Sequence, residues 1–214
     1  MDKTLEGDDV LRLLGNLHAW KEIQQWEREW WLHTDQLPEE FKKQAFYAAQ
    51  MGLPPNFDCQ QHSILDVGCG PMSMLLRCTG YTEAIALDPI DYGPFEDLYK
   101  DVPHLLRLIL PAELYTVEHQ SDEVWMYNVL QHVVNPQRVL DVIRTAAAFT
   151  VRIFEWVDIP PYRGHLHMTT APQLVEAFPE KEWQRELKTG KAPWDGTRFA
   201  ALIAHRLGTT GDQS

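Results

Sequence analysis

The strongest constraint on the fold is a short apolar run that ends in a glycine-containing turn. Residues 63–67 read as a buried strand, and Gly68-Cys69-Gly70-Pro71 follows at once. Residues 84–88 form a second apolar run ending in Asp88, 22 positions after Asp66. Glycines at the carboxyl end of a strand let a ligand approach the backbone, and an acid ending the next strand can accept hydrogen bonds from both ribose hydroxyls. The pattern therefore predicts a site for a cofactor that carries a nucleoside.

The rest of the chain alternates short apolar runs with helical patterns. Further strands are predicted at residues 124–130, 149–156 and 199–206, and helices at residues 10–31, 38–51, 72–77, 136–148 and 171–178. Such alternation is typical of a parallel sheet with helices on both faces. We therefore predict an α/β fold.

Length and charge limit the classes of function. The 214 residues suffice for one well-buried domain. Lys and Arg number 19 against 31 Asp and Glu, and the net charge of −12 has the wrong sign for a nucleic-acid partner. No window approaches the roughly 20 apolar residues of a membrane span. Three cysteines fit a reducing compartment, and the first thirty residues do not resemble a targeting signal, so we predict a cytoplasmic protein.

The N-terminal section is rich in tryptophan. Apolar residues recur every three or four positions over residues 10–31, as on one face of a helix. Four of the eight tryptophans lie there, namely Trp20, Trp26, Trp30 and Trp31. They either pack the helix onto the domain or form an aromatic lid over a ligand. We predict a helical cap or lid over residues 1–57, an α/β domain over residues 58–207 and a disordered tail over residues 208–214.

Four segments together resemble one known family. A dinucleotide-binding turn would have a third glycine where this chain has Ser73. Instead, Leu65-Asp66-Val67-Gly68-Cys69-Gly70-Pro71 resembles the first motif of the class I S-adenosylmethionine-dependent methyltransferases, and residues 86–89, 111–113 and 122–133 match later motifs in order. The last segment resembles the family's small-molecule branch. The resemblance implies S-adenosylmethionine as cofactor and a doubly wound, mostly parallel seven-stranded sheet with an N-terminal helical extension.

The resemblance also implies a set of cofactor contacts. Gly68 and Gly70 would face the methionine part, Asp66 would support that loop and the cofactor's amino end, and Asp88 would hold the ribose. The full set is Asp66, Gly68, Cys69, Gly70, Asp88, Pro89, Ala112, Glu113 and Asn128. Cys69 is expected to be a small apolar filler rather than a nucleophile. Met72 stands where the family often has a small residue, and it either narrows the loop or packs beneath it.

Three histidines and one tryptophan are candidates for the reaction itself. His132 is either a general base that takes a proton from the acceptor or a residue that only closes the cofactor pocket. His165 and His167, two positions apart, share one side of an extended segment. They are read as substrate contacts, metal ligands or purely structural residues, and no metal site is predicted because no Cys or carboxylate cluster accompanies them. Trp30 is a candidate substrate contact in the lid.

These residues predict a methyltransferase that modifies an oxygen or nitrogen of a small molecule. The alternative is a non-catalytic S-adenosylmethionine-binding module with a role in assembly or regulation. Methylation of nucleic acid or protein is a weaker interpretation. The sequence has no Asn-Pro-Pro-aromatic motif, no Pro-Cys nucleophile motif and no cluster of Lys and Arg.

Overall fold

The computed structural model describes residues 7–32, 37–54, 56–162 and 164–208. Of the predicted disordered tail, residues 209–214 lie outside these ranges. The helices are α1 (Gly7–Leu32), α2 (Leu37–Gln50), α3 (Pro136–Ala146) and α4 (Ala171–Glu176). The strands are β1 (Ile64–Val67), β2 (Ala84–Asp88), β3 (Leu105–Ile109), β4 (Ser121–Tyr127), β5 (Ala147–Trp156), β6 (Trp183–Lys191) and β7 (Arg198–Arg206). No helix in the described part of the chain is long and apolar enough to cross a membrane.

The seven strands form one sheet in the order β3-β2-β1-β4-β5-β7-β6. The first five in this order run parallel, and β7 is antiparallel to both of its neighbours. The chain order reverses between β1 and β4, so a crevice opens at the carboxyl ends of these strands, where α/β sheets bind ligands. The predicted doubly wound, mostly parallel seven-stranded sheet is confirmed.

The predicted helix over residues 72–77 is wrong. The structure has a single 3-10 turn there, Met74–Arg77, which the Ser73 side chain caps by accepting a hydrogen bond from the Leu75 amide. The chain then becomes extended, because Thr79 exchanges backbone hydrogen bonds with Phe57 and Cys59. Tertiary pairing therefore overrides the local helical pattern.

Helix α2 belongs to the core of the sheet domain. Its Tyr47 and Ala48 are buried in one cluster with Ile64 of β1 and Trp125 of β4. A boundary at residue 57 therefore does not separate two hydrophobic cores. The opposite face of the sheet is covered by α3 and α4.

Helix α1 lies across the carboxyl edge of the sheet. Trp31 packs against Ile90 and Tyr92, which follow β2, in a small separate cluster. One turn earlier, Arg28 Nε donates a hydrogen bond to the Asp91 carbonyl at 2.7 Å. These contacts hold α1 above the crevice, where the predicted cap would lie.

Candidate functional site

The turn after β1 contains two glycines with left-handed backbones. Gly68 has φ +68°, and a Cβ there would lie 2.4 Å from Val129 Cγ2, so only glycine lets this turn pack against the chain after β4. Gly70 has φ +64°, and nothing lies within 4 Å of the position of its Cβ. The backbone at Gly70 is therefore open to a ligand.

Asp88 ends β2 and joins the two sides of the crevice. Its Oδ2 accepts a hydrogen bond from the Gly70 amide and its Oδ1 one from the Ile90 amide, each at 3.0 Å. Each carboxylate oxygen keeps a further lone pair, so two more donors can be accepted. Burial, and next the charge of Glu27, raise the pKa of Asp88 to about 7.

Asp66 faces the inside of the domain. Ser73 Oγ and Tyr127 OH donate to its Oδ2 at 2.5 and 2.8 Å, and the same Tyr127 oxygen accepts a hydrogen bond from the Met74 amide. The other carboxyl oxygen, Oδ1, is buried and has no hydrogen-bond partner in the part of the chain that the structure describes. Burial raises the pKa of Asp66 to about 7, against the two hydrogen bonds, which lower it. This network fixes the segment after the glycine turn.

A small cavity of about 60 Å³ lies above the turn, between the sheet edge and α1. From α1 it is lined by Trp20, Gln24 and Glu27. The sheet side carries seven of the nine predicted cofactor residues, namely Gly68, Gly70, Asp88, Pro89, Ala112, Glu113 and Asn128. Gln24 Oε1 is buried and has no hydrogen-bond partner among the described residues. Asp66 is not among the lining residues.

The chain after β4 is held from beneath by a carboxyl group that sequence reasoning missed. Asn128 has a left-handed backbone, with φ +61°. The next two amides, of Val129 and Leu130, donate to Glu155 Oε1 at 2.8 and 3.0 Å. Burial raises the pKa of Glu155 to about 8, although these bonds lower it. No local pattern marks Glu155, because its partners lie 25 and 26 positions away.

The side chains of Glu113 and Cys69 interact with other groups of the protein. Glu113 Oε1 accepts hydrogen bonds from the amides of Val134 and Asn135, just before α3. Cys69 Sγ lies 2.9 Å from Nη1 of Arg107. Burial raises the pKa of the Cys69 thiol well above its ordinary value, outweighing the lowering by Arg107. A protonated, buried thiol is a poor nucleophile.

A large cavity of about 400 Å³ adjoins the small one, and Glu27, Gly68, Gly70, Asn128 and His132 line both. Its other walls include Cys69 and Met72 from the turn after β1, so Met72 faces this space. Eight described aromatic residues line it, namely Trp26, Trp30, Trp31, Tyr47, Tyr127, Trp156, Tyr162 and Trp194. Trp31 both packs on the domain and lines the cavity, and Trp26 and Trp30 line the cavity as well, so the structure is compatible with either predicted role of the tryptophans in α1.

His132 lies where the two cavities meet. Its Nδ1 is 2.6 Å from the Gly164 carbonyl, so Nδ1 carries the hydrogen and donates it. The Nε2 lone pair lies 3.3 Å from the side-chain nitrogen of Gln131. Burial lowers the pKa of His132 to about 4 despite the bond to Gly164, so the imidazole is neutral at pH 7.

The other two candidate histidines, His165 and His167, lie in different surroundings. His165 lines the large cavity with its ring centroid 4.9 Å from that of His132, and its Nδ1 is buried with no hydrogen-bond partner within the described ranges. Burial, and then His132, lower its pKa to about 4. His167 lines neither cavity, and its Nε2 lies 3.2 Å from the Val134 carbonyl oxygen. Within the described ranges, no three His, Cys, Asp or Glu side chains gather into a group that could hold a metal.

No protein-family model and no curated protein sequence matches this chain. Solved structures do. The N-methyltransferase NodS of Bradyrhizobium japonicum, in complex with S-adenosylhomocysteine, matches 89% of this chain and 99% of its own with a TM-score of 0.64 at 11% identity. The 1,6-didemethyltoxoflavin-N1-methyltransferase of Burkholderia thailandensis matches 97% and 94%, with a TM-score of 0.59 at 16% identity. The chain thus has the fold of the class I S-adenosylmethionine-dependent methyltransferases.

The fold is not confined to proteins named for methyl transfer. The [4+2]-cyclase SpnF matches 77% of this chain and 79% of its own, with a TM-score of 0.59 at 14% identity. Function must therefore be argued from the site.

Proposed function

We propose that this protein transfers a methyl group from S-adenosylmethionine to an oxygen or nitrogen of a small molecule held in the large cavity. The observation that carries the proposal is the pair of adjoining cavities at the carboxyl edge of the sheet. The small one lies over Asp88, and the large one, about 400 Å³, has the size of a small-molecule site, roughly 300–1,000 Å³. The residues common to both mark where a donor and an acceptor would meet.

The residues of the small cavity fit the cofactor. Asp88 keeps one free lone pair on each oxygen for the ribose hydroxyls, and the open backbone at Gly70 leaves room for the methionine part. Ala112 and Glu113 line the end of the cavity where the resemblance implies adenine, and the unpartnered Gln24 Oε1 offers a further acceptor. When bound, S-adenosylmethionine supplies a methyl group activated by a positively charged sulfur.

Helix α1 forms the wall of the small cavity that faces the sheet edge. The cavity volume of about 60 Å³ is well below the roughly 300–1,000 Å³ of a small-molecule site. Trp20, Gln24 and Glu27 line it from α1, so a shift of this helix would widen the space over Asp88. We propose that α1 opens for binding and then excludes water from the reacting groups.

Beyond closing the site, the protein aligns the acceptor and assists its deprotonation. The aromatic walls orient an acceptor, and such alignment is the main contribution expected of a protein when the methyl donor is already activated. His132 stays the candidate general base, because its neutral ring lines both cavities. In this role Nε2 takes the proton that an acceptor hydroxyl or amine loses as it forms its bond to the methyl group.

The test is transfer of a labelled methyl group. The purified protein is incubated with methyl-labelled S-adenosylmethionine and a panel of phenols, alcohols, aliphatic amines and aromatic amines. We expect label on at least one panel member and an equal amount of S-adenosylhomocysteine, both absent when the acceptor is left out. Cofactor binding without label on any panel member would contradict the proposal.

A non-catalytic cofactor-binding module is the second candidate. What favours it is the small volume of the cavity over Asp88, together with the occurrence of this fold in a protein named as a cyclase. A module of this kind would bind S-adenosylmethionine and S-adenosylhomocysteine without consuming either. The same incubation separates the two candidates. The cytoplasmic location inferred from the cysteine content stays a prediction.

A further inference from the structure

The large cavity carries an excess of negative charge. Three carboxyl groups line it, those of Glu27, Glu40 and Asp195, against the single ammonium group of Lys43. Lys43 Nζ lies 3.8 Å from Glu40 Oε2, so this cation is already paired. His132 and His165 also line the cavity, and both are neutral at pH 7 because burial lowers their pKa values to about 4. The acids of the cavity are therefore not balanced by cations of the cavity.

Glu27 is the acid that most lacks a partner. Among the described residues it makes no hydrogen bond and no salt bridge, and it lines both cavities. Burial, and next the nearby Glu40, raise its pKa to about 7. A partly buried carboxylate in this state is stabilised when a cation binds beside it.

The aromatic walls face the same space. Trp30, Tyr162 and Trp194 are 36, 59 and 48% exposed, unusual values for such large rings. Trp30 is held edge-on by Trp31 at a centroid distance of 4.8 Å, and Trp194 meets Trp156 at 6.1 Å. Aromatic faces attract ammonium groups, and they do so most strongly when the cation is removed from water.

From these observations we infer that the large cavity binds an acceptor that joins an aromatic or apolar body to a basic amine, with Glu27 beside the ammonium group. This inference rests on the proposed function and narrows its acceptor from oxygen or nitrogen to nitrogen. The aromatic rings hold the body, and Trp30 lies close enough in sequence to Glu27 to share one face of α1 with it.

Glu27 then also prepares the amine for reaction. An ammonium nitrogen has no lone pair, so it must lose a proton before it can act as a nucleophile. One N–H bond breaks, its electron pair stays on nitrogen, and the proton forms an O–H bond with a carboxylate oxygen of Glu27. An ammonium and a carboxylate become a neutral amine and a neutral carboxylic acid, so atoms and charge balance.

The test compares two probes that share a body and differ in charge. Phenethylamine carries an ammonium group at neutral pH, and phenethyl alcohol carries a hydroxyl in its place. Calorimetric titrations of the whole protein are made with and without saturating S-adenosylhomocysteine. We expect the amine to bind at least about tenfold more tightly than the alcohol. Equal affinity for the two probes would overturn the inference.

Two pairs of variants assign the effect to residues. Glu27→Gln is expected to reduce the preference for the amine to less than about threefold. Glu22→Gln removes a charge from the same helix at a side chain that is 72% exposed, and it should keep the preference. Trp30→Leu should weaken amine binding about tenfold, whereas Trp30→Phe, which keeps an aromatic face, should stay within about threefold of the wild type. Loss of the preference in Glu22→Gln, or its survival in Glu27→Gln, would contradict the assignment.

The same titrations separate this inference from the proposed function. If Glu27 served the cofactor alone, Glu27→Gln would weaken binding of S-adenosylhomocysteine and leave the preference for the amine intact, and that result would overturn the inference. Absence of S-adenosylhomocysteine binding in the wild type would instead defeat the proposed function, and the amine preference measured without it would decide the cation site independently.

Discussion

Two buried aspartates at the ends of neighbouring strands have different surroundings. Asp88 uses one lone pair of each oxygen on backbone amides and presents the others to the small cavity. Asp66 uses one oxygen on Ser73 and Tyr127 and lines neither cavity. Two roles were predicted for Asp66. Its hydrogen bonds to Ser73 and Tyr127 fit the first role, which is to support the loop after β1. The second role, contact with the cofactor's amino end, would require that loop to rearrange.

His132 gives the sharpest prediction at a single residue. His132→Ala removes the neutral imidazole where the two cavities meet, so turnover should fall about 100-fold, the lower end of general-base effects. Affinity for S-adenosylhomocysteine should change less than about threefold, because the cofactor contacts expected from Asp88 and Gly70 remain.

The matched control is His119→Ala, at an exposed position before β4. Steady-state kinetics of both variants, with calorimetry of S-adenosylhomocysteine, make the comparison. Turnover of His132→Ala equal to that of the control would remove His132 as the base.

The sequence predicts those site residues that follow the end of an apolar strand at a recognisable spacing. It does not predict residues whose role depends on contacts with distant parts of the chain. Asp88 and Asn128 follow from apolar runs that end in polar residues. Glu155 and Tyr127 act through partners far away in the sequence, and periodicity carries no signal for such pairs. Glu27 reaches the two cavities only because α1 lies across the sheet edge, which periodicity does not predict either. His167 shows the opposite failure, because alternation alone placed it with His165 while the structure turns it to the Val134 carbonyl.

At the scale of elements, the turn after β1 offers a paired test. A methyl group at Gly68 would overlap Val129 at 2.4 Å and would occupy a left-handed backbone. Gly68→Ala should therefore lower the free energy of unfolding by about 3 kcal/mol, combining overpacking with backbone strain. Gly70→Ala meets nothing within 4 Å, so it should cost only about 1 kcal/mol.

For ligand binding the order of the two variants should be the opposite. Relative to the stability that each variant loses, Gly70→Ala should lose more affinity for the ligand than Gly68→Ala. The new methyl group of Gly70→Ala enters the space proposed for the cofactor, so affinity for S-adenosylhomocysteine should fall about tenfold. Urea unfolding measures the first quantity and calorimetry the second. Equal destabilisation by the two substitutions would show that the close approach of Gly68 to Val129 is not what the turn requires.

The strands that sequence reasoning located are those with buried, apolar runs. β1 and the last five residues of β4 are fully buried, and both were predicted within three residues of their ends. β3 and β6 lie at the two edges of the sheet. β6 is mostly polar or charged, so no apolar run marks it. β3 is apolar except for Arg107, and it was missed although its residues form a visible run. The resemblance implied seven strands without placing these two.

At the scale of the whole molecule, buried acids set the pH dependence of stability. Asp66, Asp88, Glu27 and Glu155 have pKa values raised to about 7 or 8, whereas in the unfolded chain they titrate near 4. Above pH 6.5 the folded protein therefore holds protons that the unfolded chain has already lost, and stability falls as the pH rises. His132 and His165 have lowered pKa values and act in the opposite sense only below about 6.5, the unperturbed value.

Thermal unfolding of the ligand-free protein tests this sign. The Tm should be about 5 °C lower at pH 8.5 than at pH 6.5, which corresponds to about 2 kcal/mol in a chain of this size. Glu155→Gln should flatten the dependence, because Glu155 then no longer ionises. A Tm that rises over this interval would contradict the raised pKa values.

The whole-molecule arrangement of α1 was predicted only in outline. The tryptophan spacing indicates a helix with an apolar face, and the structure lays that helix across the carboxyl edge of the sheet. That the same helix brings an unpartnered acid to the meeting point of the two cavities depends on its rotation about its own axis. This rotation is set by the packing of Trp31 on Ile90 and Tyr92 and by the Arg28 bond to Asp91, contacts that span about sixty positions.

The central claim is that the crevice above Asp88 binds S-adenosylmethionine through its ribose. Calorimetric titration of S-adenosylhomocysteine into the wild type, Asp88→Ala and Asp97→Ala tests it most directly. Asp97 is an exposed acid paired with Lys100. We predict one-to-one binding to the wild type and Asp97→Ala, and an affinity at least about thirtyfold weaker for folded Asp88→Ala, since two hydrogen bonds to a carboxylate are lost. Wild-type protein that does not bind, or Asp88→Ala that binds with unchanged affinity, would contradict the account.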